Sequence, residues 1–221
     1  LLAEWKPDVM YLTTTDFVQH KYAPEQPEAQ SFYEMFDRYL TQLDAMGAAI
    51  VVTADHGMKP KHDANGDPQV IYVQDLLDEW LGVAAARVIL PITDPYVVHH
   101  GALGGFGTAY LPKGADQGDI IARLRARPEL LEVMDKAEAV KRFELPADRI
   151  GDIVMISTEN MTIGTSEHRH DLAALNEPLR SHGGLTEQEV PFIVNRVIDL
   201  PSQPVLRNFD ALFYATTAAA L

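Results

Sequence analysis

The sequence contains no cysteine, which excludes disulfides and thiolate ligands and leaves imidazole and carboxylate as the means of holding any metal. Basic residues are also scarce: 18 Lys and Arg stand against 32 Asp and Glu, a formal net charge of −14. Such a field repels a phosphate backbone and removes the electrostatic basis of nucleic-acid binding. It opposes small anions equally, so an enzyme acting on one needs metal ions or a few lysines to reverse the sign locally. No apolar run approaches the roughly 20 residues that cross a bilayer, and the longest, such as 48-AAIVVTA-54, have the length of buried strands. Neither nucleic acid nor membrane is an expected partner. Internal repeats and low-complexity tracts are missing as well.

What remains is a chain of 221 residues, 47% of them hydrophobic, large enough to bury a core as one domain with a sizeable insertion. The apolar run 8-DVMYLTT-14 predicts a buried strand, followed by a turn-rich stretch around Pro24 and Pro27. Phe32, Met35, Phe36, Tyr39, Leu40, Leu43 and Met46 recur at three- and four-residue steps, the stripe of an amphipathic helix, with Gly47 where a C-terminal cap belongs. A second strand, 48-AAIVVTADHG-57, follows at once. Strand, helix and strand form a βαβ unit and predict an α/β fold with a mostly parallel sheet flanked by helices.

From residue 87 to 180 the pattern shifts to short strands at 87–92, 108–111 and 150–157 with a helix near 117–126, which reads as an inserted α+β cap. The core, 1–86, resumes at 181–221 with a strand at 190–195 and a closing helix from residue 209, for which Asn208 is a candidate N-cap. Leu1 in place of Met and the helix-like 1-LLAEWK-6 lead us to expect the C-terminal portion of a longer core. A targeting segment upstream is therefore left open. Cytoplasm is the expected compartment, and homodimerisation is left open.

Polar residues gather where the predicted strands end. Asp16 and His20 lie four apart in 13-TTTDFVQH-20, just beyond the first strand, and carboxyl ends of parallel strands are where open sheets bind ligands. Asp55 and His56 end the second strand, with Gly57 permitting the backbone to turn so that both side chains face one ion. His182 sits in the glycine-rich 180-RSHGG-184 before the last core strand. Each element alone has a bland reading, as a turn cap or a loop histidine. Together they supply two carboxylates and three imidazoles, an inventory that suits zinc in N/O coordination. His99 and His100, followed by Gly101, could bring cap backbone close to a substrate. Lys59 and Lys61 could offset the negative field, although exposed lysines usually only solubilise. His62, His168 and His170 read as solvated.

An Asp and His spaced by three residues after a strand, a strand ending in Asp-His-Gly, and a late His-Gly resemble the ligand order of the alkaline phosphatase superfamily, in particular its nucleotide pyrophosphatase/phosphodiesterase-like branch. Within that branch, 14-TTDFVQHKYAP-24, 91-PITDPYVVHHGALG-104, 142-RFELPADRIGDIV-154 and 179-LRSHGGLTEQEVP-191 are similar to the phosphonoacetate hydrolase family. The resemblance implies two Zn²⁺, one at Asp16, His20 and His182 and the other at Asp55 and His56. It implies hydrolysis of a small anionic phosphonate through a phosphoryl-threonine, and it places the nucleophilic threonine upstream of residue 1. None of Thr13, Thr14, Thr15 or Thr53 matches the nucleophile motif. Phosphodiester or phosphomonoester hydrolysis, and an inactive metal-binding module, are the alternatives.

Overall fold

Ile153, Val154, Met155 and Ile156 are all buried, so the strand that carries them has apolar material on both faces and organises the larger part of the molecule. The computed structural model describes residues 7–91, 103–199 and 206–219. Along the chain it contains α1 (Phe17–Lys21), α2 (Pro27–Ala45), β1 (Val51–Thr53), β2 (Lys59–Pro60), β3 (Val70–Tyr72), α3 (Val73–Leu81), β4 (Arg87–Ile89) and β5 (Phe106–Tyr110). There follow α4 (Gln117–Arg125), β6 (Leu130–Asp135), α5 (Lys136–Phe143), β7 (Ile153–Ser157), β8 (Thr162–Gly164), β9 (Arg180–Ser181), β10 (Phe192–Val194) and α6 (Ala211–Ala219). The architecture is mixed α/β.

The largest sheet runs β4-β5-β7-β6 with every pairing antiparallel. Alternate side chains of β7 point to opposite faces. Ile153 and Met155 join Val73, Leu77, Ile120 and Leu124 from α3 and α4. Val154 and Ile156 join Ala139 of α5 in a second cluster. This two-sided cover explains why β7 reads as an unbroken apolar run. The flanking helices start on aspartates: the side chain of Asp116 accepts from the Asp119 amide at 3.1 Å, and that of Asp135 from the Glu138 amide at 2.8 Å, each satisfying a donor the helix leaves unpaired. Neither β6 nor α5 was expected from the sequence.

The remaining strands form short pairs. β1 pairs antiparallel with β10, β2 antiparallel with β9, and β3 parallel with β8. The helix predicted over 32–46 is present as α2, and it ends as expected. Gly47 adopts φ +85°, its amide donates to the Asp44 carbonyl at 2.9 Å, and the Ala48 amide donates to the Leu43 carbonyl at 3.2 Å. This doubled closure ends a helix when the residue past the cap is left-handed.

Three details differ from the sequence reading. Residues 8–14 form no strand; Tyr11 is 88% exposed and Leu12 64%. An extended segment becomes a strand only when a neighbour supplies its hydrogen-bond ladder, and β1, its predicted companion, is paired to β10. The parallel sheet predicted for that unit is accordingly not formed, and among the described residues the parallel pairing is β3 with β8. Asn208 opens a 3-10 turn instead of capping it; the side chain of Asp210 accepts from the Arg207 amide at 2.8 Å, which makes Arg207 the capped residue. The predicted helix tail at 1–6 lies outside the described residues.

Because Leu124 is fully buried between α4 and the sheet, Leu124→Ala is expected to lower unfolding stability by about 2–5 kcal/mol, read from the shift of the denaturant midpoint at unchanged slope.

Candidate metal centre

Asp16 stands at the start of α1 and His20 one helical turn later, the spacing that places two side chains on the same helix face. His20 Nε2 lies 3.1 Å from Asp16 Oδ2. Helix α1 is docked reciprocally on β9. The Nδ1–H of His20 donates to the Arg180 carbonyl at 2.9 Å, and the Nε–H of Arg180 donates to the Gln19 carbonyl at 2.8 Å. A carbonyl only accepts, so the first bond fixes the proton on Nδ1 and aims Nε2 at Asp16.

β9 leads directly into His182, whose Nε2 lies 3.6 Å from the same Asp16 oxygen. The backbone there is held from the large sheet. The Gly105 amide donates to the His182 carbonyl at 2.8 Å, and the Ser181 hydroxyl donates to the Leu103 carbonyl at 2.6 Å. Gly105 is required at this crossing, since a Cβ on it would sit 2.5 Å from the Gly184 nitrogen.

The turn after β1 brings the remaining pair. His56 stacks on His182 with ring centroids 3.6 Å apart and 6° between planes, and its Nε2 lies 3.8 Å from Asp16 Oδ2 and 3.7 Å from Asp55 Oδ1. Its Nδ1–H donates to the Gly57 carbonyl at 2.9 Å, so this ring too turns Nε2 inward. Asp55 remains at the rim, with its side chain 84% exposed.

Asp16, His20 and His182 each offer one ligand atom, all within 4.8 Å of one another, and so form a group that can hold a metal ion. The electrostatics suit that role. The hydrogen bond with His20 brings Asp16 down to about 2, with the charges of His20 and His182 adding to it. Burial, reinforced by His56 and His20, pulls His182 down to about 4. At neutral pH the carboxylate is therefore anionic and the His182 imidazole neutral, the protonation states that metal ligation requires. The backbone carbonyls on Nδ1 of His20 and His56 are the outer partners that orient imidazole ligands.

The sequence pattern of the family described as type I phosphodiesterase / nucleotide pyrophosphatase matches residues 5–185. This chain belongs to that family. Two crystal structures of phosphonoacetate hydrolase from Sinorhizobium meliloti 1021, one in complex with phosphonoformate and one with phosphonoacetate, are 75% identical to it with a TM-score of 0.93. The match covers 99% of this chain and 53% of theirs, so the chain spans about half the length of these relatives. Murine ectonucleotide pyrophosphatase / phosphodiesterase 5 matches at 23% identity and a TM-score of 0.54, over 81% of this chain and 44% of its own, and shares the fold.

The other sequence candidates fare differently. His99 and His100 lie outside the described residues. Lys59 binds the exposed Glu159 carboxylate at 2.8 Å. Lys61, read from sequence as a candidate to offset the negative field, is fully buried: its Nζ lies 3.0 Å from Glu187 Oε1 and donates to the Glu159 carbonyl at 2.6 Å. Burial draws its pKa below the usual lysine value, against the pull of Glu187. No periodicity or spacing signals this pair, because 126 residues separate its members. His170, expected to be solvated, instead accepts the Thr165 amide at Nε2, 3.0 Å away.

These shifts set a pH dependence for the metal-free protein. Between 6.5, the ordinary value for histidine, and about 4, the unfolded chain is protonated at position 182 and the folded chain is not. Unfolding free energy therefore falls as pH drops through that window. Asp16 adds a second loss between 3.8 and about 2. Denaturant midpoints measured in chelator should follow this course, and His182→Asn should flatten the slope from 6.5 to 4 while keeping most of the lower one, which rests first on the hydrogen bond with His20.

Proposed function

We propose that the protein hydrolyses the carbon–phosphorus bond of phosphonoacetate to acetate and phosphate. The observation that carries the reading is the 75% identity, over 99% of this chain, to a phosphonoacetate hydrolase crystallised with phosphonoacetate. The cluster around Asp16, His20 and His182 supports it with a donor set that can hold a metal ion. The reading assigns Zn²⁺ to Asp16, His20 and His182, and a second Zn²⁺ to Asp55 and His56. It assigns the nucleophile to a threonine outside these 221 residues.

Zinc ions held by these donors supply Lewis-acid charge at the phosphoryl oxygens and where negative charge develops on the departing group. The chain's own residues set the frame. Asp16, anionic at any physiological pH, would give the carboxylate of the first zinc site, and His182, held neutral, would ligate without competition from a proton. His20 and His56, anchored through Nδ1, keep their Nε2 atoms aimed at the same small volume. In the overall reaction the carbon–phosphorus bond breaks, the carbon gains a proton and phosphorus gains the oxygen of water. A carbanion is a poor leaving group, and in phosphonoacetate the neighbouring carboxylate can delocalise its charge. Orientation of that carboxylate is then as important as activation of phosphorus.

A phosphodiesterase is the second reading, favoured by the family itself. A panel of phosphonoacetate, nitrophenyl phosphate and bis-nitrophenyl phosphate, assayed on the intact protein together with its zinc content, separates the two. About two zinc ions per chain and phosphate release from phosphonoacetate are expected; zinc binding with cleavage of esters alone would transfer the assignment to ester hydrolysis. His182→Ala is expected to lose one zinc and to lower turnover by more than about 100-fold, since disturbing even the outer partners of a metal site typically costs 10- to 100-fold. A variant with both metals and full rate would remove His182 from the centre.

A further inference from the structure

The buried pair Lys61 and Glu187 lies just beneath the metal centre. Both side chains are fully excluded from solvent, so neither reaches a substrate, and neither belongs to the Asp/His cluster. Glu187 holds both of the turns that carry stacked imidazoles. Its backbone carbonyl accepts the Gly57 amide at 2.7 Å, one residue after His56. Its Oε2 accepts the Gly184 amide at 2.7 Å, two residues after His182. Its Oε1 meets Lys61 Nζ at 3.0 Å and accepts the Thr186 hydroxyl at 2.5 Å.

Lys61 is fixed in turn by three further bonds. Its amide donates to the Leu179 carbonyl at 2.8 Å, its carbonyl accepts the Gln69 amide at 2.9 Å, and its Nζ reaches the Glu159 carbonyl. It directly follows β2, whose partner β9 runs into His182. The contacts close a ring: His56, Gly57, Glu187, Gly184, Gly183, His182, and back across the 3.6 Å stack of the two imidazoles. A buried ion pair is weak evidence for stability, because desolvation offsets the attraction and well-packed apolar replacements are often neutral or stabilising. A geometric role accounts for the pair better.

We propose that Glu187, with Lys61 as its buried counter-charge, is a positioning residue, which sets the spacing of the His56 and His182 turns and thereby the metal affinity of the centre without touching metal or substrate. The proposal rests on the reading of Asp16, His20, His56 and His182 as a zinc centre.

Two double variants of the intact protein test it. Lys61→Met with Glu187→Leu removes both the charges and the acceptor for Gly184. Lys61→Met with Glu187→Gln removes the charges and keeps an amide oxygen in the place of Oε2. Zinc dissociation constants, by competition with a chromogenic chelator, and metal-free denaturant midpoints are measured for both and for the wild type. The leucine variant should bind zinc about 10- to 100-fold more weakly, the glutamine variant should recover to within about threefold, and the two midpoints should not follow that order. Equal affinities in all three proteins, an equal loss in both variants, or loss of cooperative unfolding in the leucine variant would each overturn the assignment, the last by showing that the pair holds the whole fold. A wild type that binds no zinc would instead overturn the reading of the centre, and the proposal with it.

Discussion

Three imidazole nitrogens point at one carboxylate oxygen, at 3.1, 3.6 and 3.8 Å, and the rest of the site's construction answers the cost of that crowding. His20 answers part of it through its hydrogen bond with Asp16, but a further imidazole that turned a lone pair toward the anionic oxygen would be repelled. Such a set is comfortable only with positive charge among its members. Protons are a poor source of it at His182, which burial holds neutral down to about pH 4. Cations held among these donors would supply it, which is why the arrangement reads as a candidate metal centre.

Holding repelling donors in place requires rigid supports, and these come from four separated stretches of chain. Helix α1 alone would position Asp16 against His20 but nothing else. The reciprocal bonds between α1 and β9 join that pair to His182. Gly57 joins His56 to the Glu187 backbone, and Gly105 joins the His182 turn to the large antiparallel sheet. That sheet is closed on both faces by apolar clusters, so these supports rest on a packed interior that resists deformation. Gly105 lets its backbone approach that of Gly184 more closely than a Cβ would permit, and Gly184 leaves room for the Glu187 carboxylate.

How much of this was visible in the sequence follows from the range of the interactions involved. Helix α2, its Gly47 ending and the apolar β7 were legible because periodicity and capping are local. Asp16, His20, Asp55, His56 and His182 were legible as a set because polar residues interrupting apolar strands are conspicuous, and the structure brings their side chains together, with Asp55 outermost. What local pattern could not show was pairing. The apolar run at 8–14 looks like a strand by composition, yet its backbone has no ladder here among the described residues. The stretch 48–54 was read as one arm of a parallel unit, but its partner is β10, about 140 residues away. Lys61 and Glu187 were invisible for the same reason: burial of a lysine depends on a carboxylate that only the fold delivers.

The charge balance supplies a last constraint. A molecule of net charge −14 that acts on a small anion needs local positive potential, and the sequence offered Lys59 and Lys61 for it. The structure engages both elsewhere, with Glu159 and with Glu187. Arg180 donates from Nε to the Gln19 carbonyl, and Lys21 lies 3.8 Å from Glu177. Among the described residues, these four cations are thus engaged by internal partners. On the proposed reading, ions bound to Asp16 and the imidazoles would supply the attraction for an anion, and occupancy of the centre would then govern substrate binding as well as chemistry.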